Sequence, residues 1–508
     1  MKFSKHSLIL GLIFALAFFL RFYRIGERFS IFGDIGRDVL VAREAVKLGL
    51  SHWPLVGSFS SAGPFVFGPI FYWLISLSYL PNFNWLIMPW LLTATVSWLF
   101  VWVMYLVGQK FGGQKLGYLT AALAAVSPAQ ISRATALNQH TFIAIISALT
   151  LLSFISYLKK PRLRTLFLMG LAIGFGLSFH YQAVNLFFFP LLLIFLNFNF
   201  LKIFKKAAVL IFGLLLPSLP LIFWDSQQNW ANYRNLLDYF LIGQYRVYVP
   251  NRWLTYLFSF WPNFWASLIG NLPILSVILM VSGLIFIMKD LLTHRLSKLM
   301  FKLILVFGLQ FLLLRYHHGE RFEGYLIYLQ PIILLFSAWI LLKLKANFPQ
   351  PTFMLLILIL VSSLKANFYH FLEVKSPIPA LRTAILTLKT QFPQQSFSLY
   401  DYRGESSNQA FGLSLLLDTE GLIDKNKGIN LGTCISVCPK GLPVITQTDL
   451  SLKIINLSQL PKNQLVKPEW TPINPIDVYE DVALWWQKEP LNSSFSLVKF
   501  IEEKVGFK

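Results

Sequence analysis

The chain has 508 residues, 56% hydrophobic and 13% charged, with a net charge of +21. Soluble domains carry about 25% charged residues. A mean hydropathy of +0.59 over this length therefore excludes a single buried core and requires many apolar segments of about 20 residues, each able to cross a bilayer. Nucleic acid is excluded as a partner despite the charge, because Lys and Arg gather in short clusters between apolar segments, as cytoplasmic loops do.

The N-terminus opens with Lys2, Lys5 and His6 before an apolar run at 8–22. Arg21, Tyr23 and Arg24 follow without a small-residue cleavage site, which predicts an uncleaved first helix with its N-terminus in the cytoplasm. The next loop, 24–65, contains Gly33-Asp34-Ile35-Gly36-Arg37-Asp38-Val39 and continues to Lys47. Val39, Ala42 and Val46 recur at helical spacing, so an amphipathic helix lying on the membrane is expected there. Asp34 heads it, either as a helix cap or as a general base just above the bilayer. Asp38 is the second catalytic candidate, Arg37 is a candidate for phosphate binding, and Asp38 and Glu44 have Arg37, Arg43 and Lys47 as pairing partners. Two Gly-Pro steps, Gly63-Pro64 and Gly68-Pro69, then set turns where the chain re-enters the membrane, ahead of the aromatic run Phe71-Tyr72-Trp73.

Further apolar segments lie near 66–80, 85–107, 116–131, 141–158, 165–180, 183–200, 206–224, 261–288, 301–314, 325–343 and 352–368. Basic clusters at Lys110/Lys115, Lys159–Arg164, Lys202–Lys206, Lys289–Lys302 and Lys343/Lys345 separate some of them. Placing all five clusters in the cytoplasm leaves 66–108 needing an odd number of crossings, although two segments are visible there. The 66–80 segment is therefore re-entrant or interfacial, or a further crossing is hidden, and the total is 11 or 13 crossings by this count of segments.

Between these segments lie Ser127-Pro128, Ser132-Arg133, Asn138 and His140, then His180 beside Tyr181 and Gln182. Asn138, His140 and His180 are candidates to contact substrate. An anionic substrate group requires nearby cations or N–H donors. Arg246 and Arg252 supply them in the 225–260 loop, and His317, His318 and Arg321 in the 315–324 loop. Adjacent histidines point different ways on a helix and make a poor shared metal site, so no metal is expected to be obligatory and a role for a divalent ion stays open. From about residue 370 the composition turns polar, with short apolar runs that suggest a small α/β or α+β domain over 369–508 following a transmembrane domain over 1–368. Its Cys434 and Cys438 are either two thiols or a local disulfide.

A first helix ending in Arg21-Phe22-Tyr23-Arg24, an Asp-led helix, and a Pro-aromatic re-entry ending in Tyr72-Trp73 together resemble the polyprenyl-phosphate-dependent transferases of the GT-C fold. That group includes the protein O-mannosyltransferases and the lipid A aminoarabinose transferases. The resemblance runs over 8–145, and Asp34-Ile35 stands where the family often has Asp-Glu. It implies a polytopic α-helical membrane glycosyltransferase of about 11–13 transmembrane helices with Asp34 as catalytic carboxylate. It further implies a lipid-linked sugar donor, inversion at the anomeric carbon, and an acceptor that is a protein, lipid or glycan. The expected setting is a bacterial plasma membrane, with the C-terminal domain extracytoplasmic. Competing classes are a polysaccharide polymerase or ligase using lipid-diphosphate oligosaccharides, a transporter or lipid flippase, and a non-catalytic scaffold. Several segments, among them 85–107 and 141–158, hold no Asp, Glu, Lys or Arg, which weighs against an ion-coupled transporter.

Overall fold

The computed structural model describes residues 5–60, 63–195, 200–241, 254–316, 323–373 and 376–483. In chain order the helices are α1 (Lys5–Phe22), α2 (Ile25–Arg28), α3 (Asp34–Leu48), α4 (Ile70–Tyr79), α5 (Met88–Gly112), α6 (Gln114–Val126), α7 (Pro128–Arg133), α8 (Ile143–Lys159), α9 (Leu163–Phe179) and α10 (Phe188–Phe195). They continue as α11 (Phe200–Gln227), α12 (Ala231–Leu241), α13 (Trp261–Leu268), α14 (Pro273–Leu292), α15 (Lys298–Tyr316), α16 (Gln330–Asn347) and α17 (Pro349–Glu373). Six spans among the described residues are long and apolar enough to cross a membrane, and three shorter apolar helices accompany them. The chain is thus a polytopic α-helical protein. α4 has 10 residues, about 15 Å at 1.5 Å per residue, half of a hydrocarbon core of about 30 Å.

Proline and arginine shape the first helices together. Pro128 follows α6 after one residue and cannot continue its hydrogen-bond ladder, which leaves the last carbonyls of α6 without N–H partners. The fully buried Arg21 supplies them: Nη1 donates to Ala125 O at 3.0 Å and Nη2 to Ala124 O at 3.0 Å, while Nε reaches Ser97 Oγ at 2.9 Å.

After α17 the chain builds α18 (Ile378–Gln391), α19 (Ser407–Thr419), α20 (Pro475–Ala483) and strands β1 (Phe397–Tyr402), β2 (Ile429–Cys434), β3 (Val444–Gln447), β4 (Lys453–Asn456) and β5 (Trp470–Pro472). The sheet order is β3-β4-β2-β1-β5. β1 and β2 are parallel, with Leu399 opposite Leu431, and α19 is their crossover; the other pairs are antiparallel. Both inward faces are apolar, with Phe397, Leu399, Leu431 and Ile454 buried. Cys434 and Cys438 form a disulfide.

The Asp-led helix α3 differs from the expected membrane-surface helix. Its residues from Asp38 to Ala45 are buried, because α4 covers one side and α19 and α20 cover the other. The amphipathic pattern is real, but Arg43 and Lys47 face the C-terminal domain and Asp38 faces α4, while Asp34 stays in solvent.

Close helix packing depends on glycine where backbones touch. A Cβ at Gly170 would lie 2.1 Å from Leu210 O, at Gly174 2.3 Å from Leu214 O, and at Gly213 2.4 Å from Phe167 O. The small-x3-small spacing lets α9 and α11 approach closely, as small residues do between membrane helices. Gly174→Leu is expected to force them apart and to destabilise the protein by roughly 1–3 kcal/mol. Gly11→Ala, with open space around it, is expected to leave the melting temperature in detergent unchanged.

Candidate active site

The site is assembled around α4 and the turn that feeds it. Residues 57–60 pair antiparallel with 63–67: Gly57 N donates to Phe67 O at 2.8 Å and Phe67 N donates to Ser58 O at 3.1 Å. The pairing is held from outside by Tyr181 Oη donating to Val66 O at 2.7 Å and by Val66 N donating to Asn232 Oδ1 at 2.8 Å. A Cβ at Gly68 would lie 2.8 Å from the Ser178 Cα, so glycine is what lets this turn rest on the end of α9. The Gly-Pro steps are thus structural, as tight re-entry turns.

One side of α4 meets the carboxylates. Asp38 is buried, and its Oδ1 accepts from Tyr72 Oη at 3.0 Å and from Arg37 Nη2 at 2.9 Å. Arg37 Nη1 also lies 2.8 Å from Asp34 Oδ1, and the Asp34 side chain is 82% exposed. One guanidinium therefore links a buried carboxylate to an exposed one. Burial pushes the Asp38 carboxyl up, opposed by Arg37. Burial would lower Arg37, but Asp38, Tyr72 and Asp34 outweigh it and hold the guanidinium above its ordinary value. Gly33, not Asp34, is the residue before the helix, so Asp34 stands in the first turn with its carboxylate free to face solvent.

The feeding turn meets the imidazoles. His180 stacks on Phe67 (centroids 4.8 Å) and on Tyr325 (5.3 Å), and His140 lies 4.4 Å from His180. His180 Nδ1 accepts from Gln182 N at 3.1 Å. Gln182 Nε2 donates to Gly324 O at 2.9 Å and lies 3.3 Å from His140 Nδ1. With both Nδ1 atoms accepting, the hydrogen bonds assign each ring's proton to Nε2, leaving two neutral N–H donors. Gln182 Oε1 and Arg133 Nε are buried without a hydrogen-bond partner among the described residues. Burial draws the Arg133 guanidinium down to about 10, with Glu323 acting against it.

Asp34, Arg37 and Asp38 thus form one group, and His140 and His180 another. Asn138 is a cap: its Oδ1 accepts from Thr141 N at 3.1 Å at the start of the 3-10 turn Gln139–Phe142. Arg246, Arg252, His317, His318 and Arg321 lie outside the described residues. Among the described residues no group of three or more His, Cys, Asp or Glu could hold a metal ion. Sequence reasoning did not single out Tyr72, Phe67 or Tyr325 for the site. Their signal is an aromatic residue beside a Gly-Pro turn or at a helix start, with a polar tip only in the two tyrosines, which sequence alone cannot separate from an interface belt.

The C-terminal domain seats α3. Arg43 (side chain 1% exposed) and Asp418 (5%) pair through Nε and Oδ2 at 2.8 Å. Arg43 Nη1 donates to Phe83 O at 2.7 Å, and its guanidinium lies over the Phe83 and Tyr79 rings. Lys47 Nζ reaches Asp418 Oδ1 at 2.5 Å and Glu44 at 3.2 Å. Gly33 N donates to Asn408 O at 2.9 Å, and Tyr479 Oη to His52 O at 2.6 Å.

The resemblance read from the sequence is borne out. The architecture defined is the GT-C fold. Residues 64–224 match the model of the dolichyl-phosphate-mannose-protein mannosyltransferase family. Over most of its length the chain is similar to the crystal structure of ArnT from Cupriavidus metallidurans in the apo state, with a TM-score of 0.62 at 11% identity, covering 89% of this chain and 98% of that one. It is similarly close to the same protein bound to undecaprenyl phosphate (TM-score 0.61, 11% identity, 88% and 97% covered). No curated protein matches the chain in sequence.

Two substitutions test this construction. Asp418→Ala strands the buried Arg43 charge and is expected to destabilise the protein by roughly 3–5 kcal/mol. Tyr72→Phe removes one donor to a buried carboxylate and is expected to destabilise it by about 1–3 kcal/mol. Thermal unfolding in detergent reads both.

Proposed function

We propose that the chain is a membrane glycosyltransferase that moves a sugar from a polyprenyl-phosphate donor to an acceptor hydroxyl on the extracytoplasmic face. The observation that carries this reading is the junction at α4. Within six residues, Phe67 touches His180 and Tyr72 bonds Asp38, so an exposed carboxylate and a set of N–H donors flank one short re-entrant segment. The match of 64–224 to the mannosyltransferase family model and the undecaprenyl phosphate bound by ArnT, a protein of the same fold, support the donor class.

Asp34 is the base. Its carboxylate takes the acceptor proton as the acceptor oxygen bonds the anomeric carbon and the bond to the phosphate oxygen breaks, in one inverting displacement. Arg37 orients Asp34, and Asp38 with Tyr72 fixes Arg37. The Nε2–H groups of His140 and His180, with Arg133, suit the charge that develops on the departing phosphate, since N–H donors aimed at developing charge act strongly in a water-poor site. These donors make a metal dispensable for stabilising the leaving group. The acceptor is a protein, lipid or glycan hydroxyl.

With α4 too short to cross and the basic clusters inside, α1, α5, α6, α8, α9, the helical run Tyr181–Phe195 that ends in α10, α11, α14, α15, α16 and α17 cross the membrane, which gives eleven crossings by this assignment of helices. The N-terminus is then cytoplasmic and the domain from 369 onward extracytoplasmic. The Cys434–Cys438 disulfide supports that side, because disulfides persist in oxidising compartments such as the bacterial periplasm.

Purified wild type and Asp34→Asn, given labelled polyprenyl-phosphate sugars and a crude membrane extract as acceptor, are compared for release of polyprenyl phosphate. Loss of a general base is expected to lower turnover roughly 10²–10⁴-fold at unchanged donor binding. Equal turnover in both would remove Asp34 from the base role.

A further inference from the structure

Arg28 ends the short helix α2, just beyond the membrane helix α1, and is 2% exposed. Only its Nη2 has a hydrogen-bond partner among the described residues, donating to Arg21 O at 2.7 Å. Nε and Nη1 are buried without one. Its guanidinium lies 4.3 Å over the ring of Phe371 on α17. Next to Phe371, His370 also buries an unpartnered Nε2, and the charge of Arg28 acts on its ring. Of the nearby charges, Arg24 pairs with Glu27 and Arg21 is spent on Ser97 and the carbonyls of α1 and α6, while the Glu373 carboxylate acts on the His370 ring.

A buried cation with no carboxylate bonded to it among the described residues is unfavourable, and burial draws the Arg28 guanidinium down to about 10. Two guanidinium nitrogens and the neighbouring His370 Nε2 are therefore left without hydrogen-bond partners among the described residues at the end of the bundle that carries the C-terminal domain. Around it, Phe18 and Phe19 of α1 and Phe368 and Leu372 of α17 are 45–68% exposed, as side chains facing lipid would be. A guanidinium fork matches two phosphate oxygens, and an imidazole N–H can take a third contact.

We propose that Arg28 and His370 form a binding site for the phosphate diester of an anionic membrane phospholipid, whose acyl chains lie along α1 and α17. The site stands apart from the α4–His180 region, on different helices, and tethers the start of the first outer loop to the last membrane helix. It does not depend on the transferase reading.

The test is thermal unfolding of the full-length protein in mild detergent, alone and with phosphatidylglycerol, with diacylglycerol of the same chains, or with inorganic phosphate. Arg28→Gln keeps a donor for Arg21 O and removes the charge. Phosphatidylglycerol is expected to raise the wild-type melting temperature by a few degrees, and Arg28→Gln to abolish that rise while melting no lower than wild type without lipid. An equal rise in Arg28→Gln, an equal rise with diacylglycerol, or no rise in wild type overturns the site. A full rise with inorganic phosphate alone overturns the lipid as its source. If Arg28→Gln is not recovered folded, His370→Gln decides: a weakened rise supports the site, and an unchanged one overturns it.

Discussion

The buried pair of Arg43 and Asp418 is the constraint on which the rest of the structure depends. Two charges taken out of water repay their desolvation only with close geometry and further hydrogen bonds. Here the guanidinium has a carboxylate, a backbone carbonyl and two aromatic rings, and the carboxylate has a second cation in Lys47. The pair spans 375 residues of sequence and joins the segment after α1 to the C-terminal domain. With it in place, α3 has one position between α4 and α19. Asp34, at the head of α3, inherits that position while its own carboxylate stays in solvent.

This arrangement divides labour along one helix. Asp38 is buried and fully engaged, so it serves the geometry. Asp34 is exposed and tied only through Arg37, so it remains able to meet a substrate. The same division recurs across α4, where the Gly-Pro turn and the antiparallel pairing before it are pinned by backbone bonds from Tyr181 and Asn232, while His140 and His180 keep their Nε2–H groups uncommitted among the described residues. A rigid support under adaptable polar groups is what a transferase needs when one substrate arrives from the bilayer and the other from water.

The sequence made the membrane architecture legible because hydrocarbon-length apolar runs and basic clusters are local signals. Asp34, His140 and His180 were legible as polar residues at the ends of such runs, and the fold through the run of motifs between Arg21 and Trp73. The parity question at 66–108 was also visible, and the 10 residues of α4 fit the proposed assignment in which that segment does not cross. What could not be read were contacts between distant segments. Nothing near Arg43 announces Asp418, and the apolar spacing of α3 matches a helix on a membrane as well as one under a domain. Arg28 is another such case, since the burial of its unpartnered Nε and Nη1 exists only once Phe371 of α17 packs against it.

The central claim is that donor and base meet across α4. The most direct measurement is a structure determined with a polyprenyl-phosphate sugar bound. The account predicts phosphate oxygens within about 3 Å of the Nε2 atoms of His140 or His180, and an open path from the Asp34 carboxylate to the far side of the anomeric carbon, at hydrogen-bond reach of an acceptor oxygen. A donor phosphate seated away from both imidazoles, with the sugar on the side of the bundle remote from Asp34, would contradict it.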